Sequence, residues 1–397
     1  MTLKSGHIGL NGSLDVLMVS PQFNPMVGGY ERAAERLSAA LVARGHRVTV
    51  ICERRDASWP SRETVSGMTV RRLWCVYRVK FHVVTSLFSM LRFLLTEGRR
   101  FDVWHVHQYG SAAALAIALG TVLRRPVVLK LTNTADQGLA QVVRSSRFAA
   151  LFTRIYKRVP AVVALSQETA DEARDFGIPA GRVHRLGNGV DTVAFCPQTE
   201  HARNATKRLL GLDSCRLVLY VGRLAEEKNP NGLLKAWFTA LPSLPTDWKL
   251  VVVGDGPMGN TLKNMVSEFG ADYRVVFAGQ QSNIEQWMAA ADVYALSSTH
   301  EGLSNTLLEA MASGLPVVAT RVSGVRELVE KPGAGVVVDV GDMAGLSQAI
   351  VRLASDPSLR EEMGAAARQV IVANYAIGSV AERHESLYRK LIAEGAR

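Results

Sequence analysis

Cysteine is scarce in this chain: Cys52, Cys75, Cys196 and Cys215 are the only four in 397 residues, and no two form a C-x-x-C pair. That excludes a disulfide framework and a cysteine-built zinc site, and it fits a reducing compartment. No run of about twenty uncharged apolar residues occurs, so no transmembrane helix is expected. The stretch from Met1 to Gly12 is polar and lacks an apolar leader core, so secretion is not expected and the cytoplasm is the expected location. Acidic residues are sparse in the first half. Residues 1–185 hold 26 Lys+Arg against 13 Asp+Glu, whereas the remainder holds 20 against 23. A basic half joined to a near-neutral half implies an anionic partner for the first half: nucleic acid, an anionic membrane surface or a lipid-phosphate acceptor. Aromatic residues are not interleaved with the basic ones, which argues against nucleic acid. Against these absences stand 48% hydrophobic and 21% charged residues, an ordinary globular composition. The length exceeds what one core serves, so two domains are expected.

Apolar runs and helical periodicity alternate along the chain. Residues 14–20 read as a buried parallel strand, followed by a loop with Pro21, Pro25, Gly28 and Gly29. Ala33, Ala34, Leu37, Ala40 and Leu41 then share one helical face over residues 30–44, Gly45 stops that helix, and residues 48–51 return as a strand. Further strands are expected at 70–73, 103–106, 127–131 and 161–165. A turn-rich stretch from Gly187 to Pro197 separates them from a second series at 217–221, 250–253, 275–278, 292–296 and 317–320. Helix-length spacing between strands predicts an α/β fold of two doubly wound, parallel, Rossmann-like domains facing a central cleft. Residues 1–190 form the first domain and 191–371 the second.

The most telling stretch runs from Thr299 to Thr320. Glu301 follows an apolar strand, Gly302 lets backbone approach a ligand, and Ser304 or Asn305 caps a helix that carries Glu309. Gly314 and Pro316 end that helix. The free amides of such a helix start form an anion seat between two carboxylates. That suits a nucleotide-sugar: diphosphate on the amides, one carboxylate on the sugar hydroxyls, the other on the ribose diol. Upstream, Val221-Gly222-Arg223 through Lys228-Asn229 follows the second domain's first strand. A strand end of this kind is where ligands bind, and Arg223 and Lys228 can both reach a diphosphate and hold it as its charge develops.

The run from Thr299 to Thr320 strongly resembles the nucleotide-sugar signature of the retaining glycosyltransferases of family four, which have the GT-B fold. The resemblance extends from about residue 14 to about residue 392. It takes in the Gly-Arg…Lys-Asn pattern at Gly222–Asn229, the loop Gly254-Asp255-Gly256, the backbone at Gln280 that such enzymes set against the base, and the Gly28-Gly29 loop against the donor phosphate and sugar. The resemblance implies a donor-binding second domain, an acceptor-binding first domain, and a last helix, residues 372–397, crossing back to the first. It implies a UDP- or GDP-sugar donor, a glycan or lipid-linked acceptor, no cofactor, and no metal for chemistry. It also implies same-face displacement, the leaving phosphate deprotonating the incoming hydroxyl. His107 ends the strand Val103–Val106, with His105 on the same side, and is the candidate acceptor contact. Two histidines at this spacing suggest a metal, but no third ligand is apparent.

Two departures stand out. Thr132 occupies the position of a sugar-contacting histidine found in many relatives, so Thr132 or Asn133 is the substitute. Ser323-Gly324 stands where a glycine pair is common. Residues 79–95 are apolar with sparse cations and read equally as a packing helix or as an interfacial one helped by Arg71, Arg72, Arg78, Arg99 and Arg100. The expected activity is retaining transfer of a hexose-type sugar to an acceptor hydroxyl in polysaccharide or lipid-linked glycan synthesis, with peripheral contact at the inner face of the cell membrane as a further expectation. The alternatives are a nucleotide-sugar epimerase, which needs a carboxylate acid/base pair that is not evident, and a non-catalytic nucleotide-sugar or nucleic-acid binder.

Overall fold

The computed structural model describes residues 12–26, 28–77, 81–133 and 138–395. Its contacts divide the chain into two units: unit 1 holds residues up to Asn188 together with the stretch from Gly378 onward, and unit 2 runs from Gly189 to Ile377.

Unit 1 is an eight-stranded sheet in the order β3-β4-β2-β1-β5-β6-β7-β8. The strands are β1 (Asp15–Val19), β2 (Arg47–Arg54), β3 (Arg62–Val65), β4 (Met68–Trp74), β5 (Val103–His107), β6 (Val127–Leu131), β7 (Ala161–Ala164) and β8 (Val183–Arg185). All pairs are parallel except β3 with β4. That hairpin corrects the all-parallel expectation. Its turn, Ser66-Gly67, has positive φ at both residues (48° and 78°), the geometry that matches strand twist in a two-residue connection. The edge strand Arg-Glu-Thr-Val is polar and half-exposed, so it gave no apolar signal. By contrast β5, β6 and β7 are buried at every residue, as a sheet covered on both faces requires.

The last helix, Ile377–Gly395, closes unit 1 by placing Ala381, Leu387, Tyr388 and Leu391 in the core formed around β1, β2 and β4. It starts later than residue 372, because residues 372–374 still complete the helix Pro357–Asn374.

Unit 2 has six parallel strands in the order β11-β10-β9-β12-β13-β14: β9 (Arg216–Val221), β10 (Trp248–Val253), β11 (Val275–Gly279), β12 (Val293–Leu296), β13 (Val317–Thr320) and β14 (Gly335–Val338). Its core buries Trp237 and Trp248 completely with Leu250, Leu262, Leu346 and Ile350. Each such side chain contributes about 1.5–3 kcal/mol. Both sheets match the doubly wound fold expected from the sequence. In unit 2 the chain winds outward through β9, β10 and β11, then returns to β12 on the other side of β9. Strand order therefore reverses between β9 and β12, the place where ligands bind in open parallel sheets.

Candidate active site

At that reversal Lys228 and Glu301, 73 residues apart in sequence, meet: Lys228 Nζ lies 2.6 Å from Glu301 Oε1. The parallel pairing of Val293 with Val218 and Tyr294 with Leu219 brings the carboxyl ends of β9 and β12 to one edge. Each strand then runs into a short loop. After β9, Glu226–Lys228 makes a single tight turn, and Asn229, in a left-handed conformation, caps the helix Pro230–Ala240 by accepting from Gly232 N at 3.0 Å. After β12, Glu301 precedes Ser304, whose hydroxyl accepts from Leu307 N at 3.3 Å and so caps the helix Asn305–Ala312. Of the two capping candidates, Ser304 does the work. The Glu301 side chain is 8% exposed and that of Lys228 28%. Arg223 is exposed on the same loop, its carbonyl accepting from the Tyr220 hydroxyl at 3.2 Å. Glu309 is buried at 1% exposure, and Gly302 and Leu303, which follow Glu301, are buried as well.

Buried polar groups surround this pair. The Tyr294 hydroxyl donates to Thr306 Oγ1 at 2.7 Å. Burial pushes the Tyr294 phenol up, and the Glu301 and Glu309 charges push the same way, so the phenol stays protonated between the two carboxylates. Ser297, Ser298 and Thr320 are wholly buried. The sequence does not single out Tyr294, Ser297, Ser298 or Thr320, because a serine, threonine or tyrosine in or beside a strand carries no pattern of its own.

Gly254 has φ +138°, and a Cβ there would stand 1.9 Å from the Gly222 carbonyl oxygen. Its bareness lets the loops after β9 and β10 touch, and Gly254 N donates to Gly279 O at 2.8 Å. Room for a neighbouring loop is thus one reason for glycine at this position. Gln280 is exposed just beyond β11. Among the described residues no group of three or more His, Cys, Asp or Glu gathers as a metal site.

Two family descriptions match: "Glycosyl transferases group 1" over residues 205–370 and "Glycosyltransferase Family 4" over residues 27–194. A GDP-mannose-dependent alpha-(1-6)-phosphatidylinositol monomannoside mannosyltransferase from Mycolicibacterium smegmatis is 30% identical, covering 91% of this chain and 94% of that protein. This chain belongs to the family four, group 1 glycosyltransferases. An N-acetyl-alpha-D-glucosaminyl L-malate synthase from Bacillus anthracis is 23% identical over 93% of the chain and 96% of that protein. HepE from Anabaena, solved with UDP, superposes with a TM-score of 0.76 at 19% identity, covering 96% of this chain and all of that one. That likeness shows the GT-B fold.

In unit 1 of this glycosyltransferase, order reverses between β1 and β5, the strands preceding the Gly28-Gly29 loop and ending in His107. Gly28 caps the helix Gly29–Ala43, and a Cβ there would lie 2.3 Å from Glu31 Oε2. The Glu31 carboxylate folds over this helix start. Burial pushes its pKa up, opposed by a hydrogen bond from its own amide and by the Arg55 charge. In this structure the Glu31 side chain thus fills the space over Gly28.

His107 corrects the acceptor-contact expectation. It is 1% exposed, its Nε2 faces Met18 Sδ at 3.4 Å, and its ring stacks on His105 at 4.4 Å. His105 Nδ1 meets the Tyr388 hydroxyl at 2.6 Å and the His105 ring stacks on His384 at 5.5 Å. This is a core cluster anchoring the last helix. Burial holds His105 and His107 well below the usual histidine range, hence neutral. Thr132 is buried, while Asn133 takes a hydrogen bond from the Tyr30 hydroxyl.

The segment 79–95 forms the helix His82–Glu97, with Arg78, Val79 and Lys80 outside the described residues. Met90, Phe93 and Leu94 face the core, but Phe81, Val83, Val84, Phe88 and Leu95 are each more than half exposed. Arg72 does not join this face: it is 4% exposed and bound to Glu63 and the Asn24 carbonyl. Arg71 pairs with Glu97 at 3.3 Å. Arg92, Arg99 and Arg100 are exposed.

Proposed function

We propose that this glycosyltransferase moves a hexose-type sugar, with retention, from a nucleoside diphosphate sugar bound in unit 2 to an acceptor hydroxyl. The observation that carries the reading is the Lys228–Glu301 ion pair at the strand-order reversal of unit 2. A cation and a carboxylate held there before any ligand arrives are poised to exchange partners. The ammonium takes the diphosphate, with Arg223 beside it, and the carboxylate takes sugar hydroxyls. Glu309 holds the ribose and the amides of Gly302, Leu303 and Ser304 hold phosphate or sugar, while the backbone at Gly254 and Gln280 approaches the nucleotide. Preformed charges aimed at a departing diphosphate stabilise it without reorganisation in the transition state. No cofactor or metal enters this reading, and the departing phosphate takes the acceptor proton. The GDP-mannose dependence of the Mycolicibacterium relative and the UDP bound by HepE support a nucleoside diphosphate donor and leave the base open.

The acceptor reading is a glycan or lipid-linked sugar at the inner face of the cell membrane. It is supported by the named acceptor of the Mycolicibacterium relative and by the apolar, arginine-flanked face of the helix His82–Glu97. No helix among the described residues is long and apolar enough to cross a membrane, so contact is read as peripheral.

Lys228→Ala and Glu309→Ala are expected to lower sugar transfer on the order of a hundredfold or more while folding normally. The assay follows label from UDP- and GDP-sugars into a membrane glycan extract. Full transfer by both variants would remove the donor-site assignment.

A further inference from the structure

Three consecutive hydroxyl residues, Ser297, Ser298 and Thr299, follow β12, and each is bonded to a different part of the proposed donor-site loops. Ser297 Oγ donates to the Lys228 carbonyl at 3.0 Å. Thr299 donates to the Glu227 carbonyl twice, from its amide at 2.9 Å and from Oγ1 at 3.2 Å. Ser298 Oγ donates to Glu301 Oε1 at 2.8 Å, the same oxygen that Lys228 Nζ contacts. The Ser298 carbonyl is in turn held by Thr320 Oγ1 at 2.6 Å. Ser297, Ser298 and Thr320 are 0% exposed. A buried hydroxyl is destabilising unless it is hydrogen-bonded, so small apolar residues would suit the end of this strand better were packing its only task.

We propose that Ser298 is a positioning residue for Glu301: its hydroxyl keeps the carboxylate aimed at the donor sugar once Lys228 turns to the diphosphate. Before the donor binds, Glu301 Oε1 is shared between an ammonium and a hydroxyl. A diphosphate carries more negative charge than one carboxylate, so Lys228 exchanges partners. The carboxylate then keeps its orientation through Ser298, whose backbone is fixed by Thr320 and which water does not reach. Ser297 and Thr299 tie the β9 loop to the β12 loop, so the cation and carboxylate stay in register during the exchange. This inference rests on the donor-site reading above.

The test is calorimetric titration of the full chain with UDP, GDP, UDP-glucose and GDP-mannose, comparing wild type with Ser298→Ala, Ser298→Thr and Lys228→Ala. A hydrogen bond to a charged group is worth enough to predict, on removal, a loss on the order of 10- to 100-fold. Ser298→Ala is expected to leave the Kd of the bare nucleotide within about twofold, which also controls for folding, and to weaken binding of the sugar nucleotide by about 10- to 100-fold. Ser298→Thr, which keeps the hydroxyl, is expected to recover most of the loss. Ser298→Ala matching wild type on both ligands, losing both equally, or going unrescued by threonine would overturn the positioning role while leaving the donor site standing. Wild type and Lys228→Ala binding nucleotide alike, or wild type binding none of the four ligands, would bring down the donor site and the role of Ser298 with it.

Discussion

At the scale of single residues, the structure turns on where charge is buried and what accompanies it. Lys228 and Glu301 neutralise each other at 2.6 Å, whereas Lys130 on β6 is buried at 3% exposure among His105, His107 and His384. Burial pulls the Lys130 ammonium down to about 7 and holds His384 at about 3. Each group thus binds its proton less readily folded than unfolded. Where the unfolded chain binds more protons, stability rises with pH. Lys130 makes that contribution between its folded value near 7 and its unfolded value near 10.5, and the histidines make it as pH rises toward their unfolded value of about 6.5. Unit 1 is therefore expected to lose thermal stability as pH falls from 10 to 7 and again from 7 to 5. Lys130→Met, similar in volume and uncharged, should abolish the slope above pH 7 and raise Tm at neutral pH. Melting curves across this range decide it. An unchanged slope above pH 7 in the variant would show that Lys130 titrates normally in the folded protein.

At the scale of elements, the helix His82–Glu97 carries two faces with different tasks. Met90, Phe93 and Leu94 fasten it to the sheet, and Phe81, Val84 and Phe88 point away from it. A second exposed apolar pair, Phe148 and Leu151, lies on or beside the helix Ala149–Tyr156 with Arg144, Arg147 and Arg154 exposed nearby, and both helices pack against the helix Ser111–Leu123. Flotation with anionic vesicles is expected to retain the wild type, and the retention should weaken as salt rises through the screening of exposed arginines. Val84→Glu with Phe88→Glu should lower retention by about tenfold or more without changing Tm, since each introduced charge opposes transfer into the interface. Flotation that ignores both salt and these substitutions would exclude this face.

Elements differed in how plainly the sequence announced them. Continuous apolar runs such as Ala161–Ala164 and Leu217–Val221 lie in sheets covered on both faces, so their burial is written in composition. β3 and β8 were invisible because one is polar and half-exposed and the other only three residues long. The carboxylate and cation of the proposed donor site were visible as a glycine-flanked pattern at strand ends. Their supports, Ser298, Thr320 and Tyr294, were not, because a single hydroxyl contact, whether within a loop or across neighbouring strands, leaves no pattern to read. His107 misled for the complementary reason. Its place at a strand end was visible, but the last helix that buries its cluster comes from some 280 residues later in the chain (His105 to Tyr388 spans 283).

At the scale of the whole molecule, the chain leaves unit 1, builds unit 2, and then returns to finish unit 1's core. The outgoing and returning passages are joined: Val190 N donates to Tyr375 O and Ile377 N donates to Val190 O, each at 2.9 Å. Gly189 has no side chain where a Cβ would stand 2.9 Å from Ile377 Cα. Truncation after Ile377 removes Leu387, Tyr388 and Leu391 from unit 1 together with the Glu385 ion pairs to Arg44 and His46. Three large apolar side chains at about 1.5–3 kcal/mol each approach the whole stability of a typical domain. Hydrogen exchange on the truncated chain should show lost protection in β1, β2 and β5 and unchanged protection in β9, β10 and β12.

The central claim is that a donor diphosphate seats on Lys228 and Arg223 beside Glu301, at the carboxyl edge of unit 2's sheet. Diffraction from crystals soaked with UDP or GDP tests it most directly. The account predicts diphosphate density against Lys228 Nζ, with the Lys228–Glu301 contact broken and Glu301 still held by Ser298. Nucleotide bound elsewhere, with that ion pair intact, would contradict it.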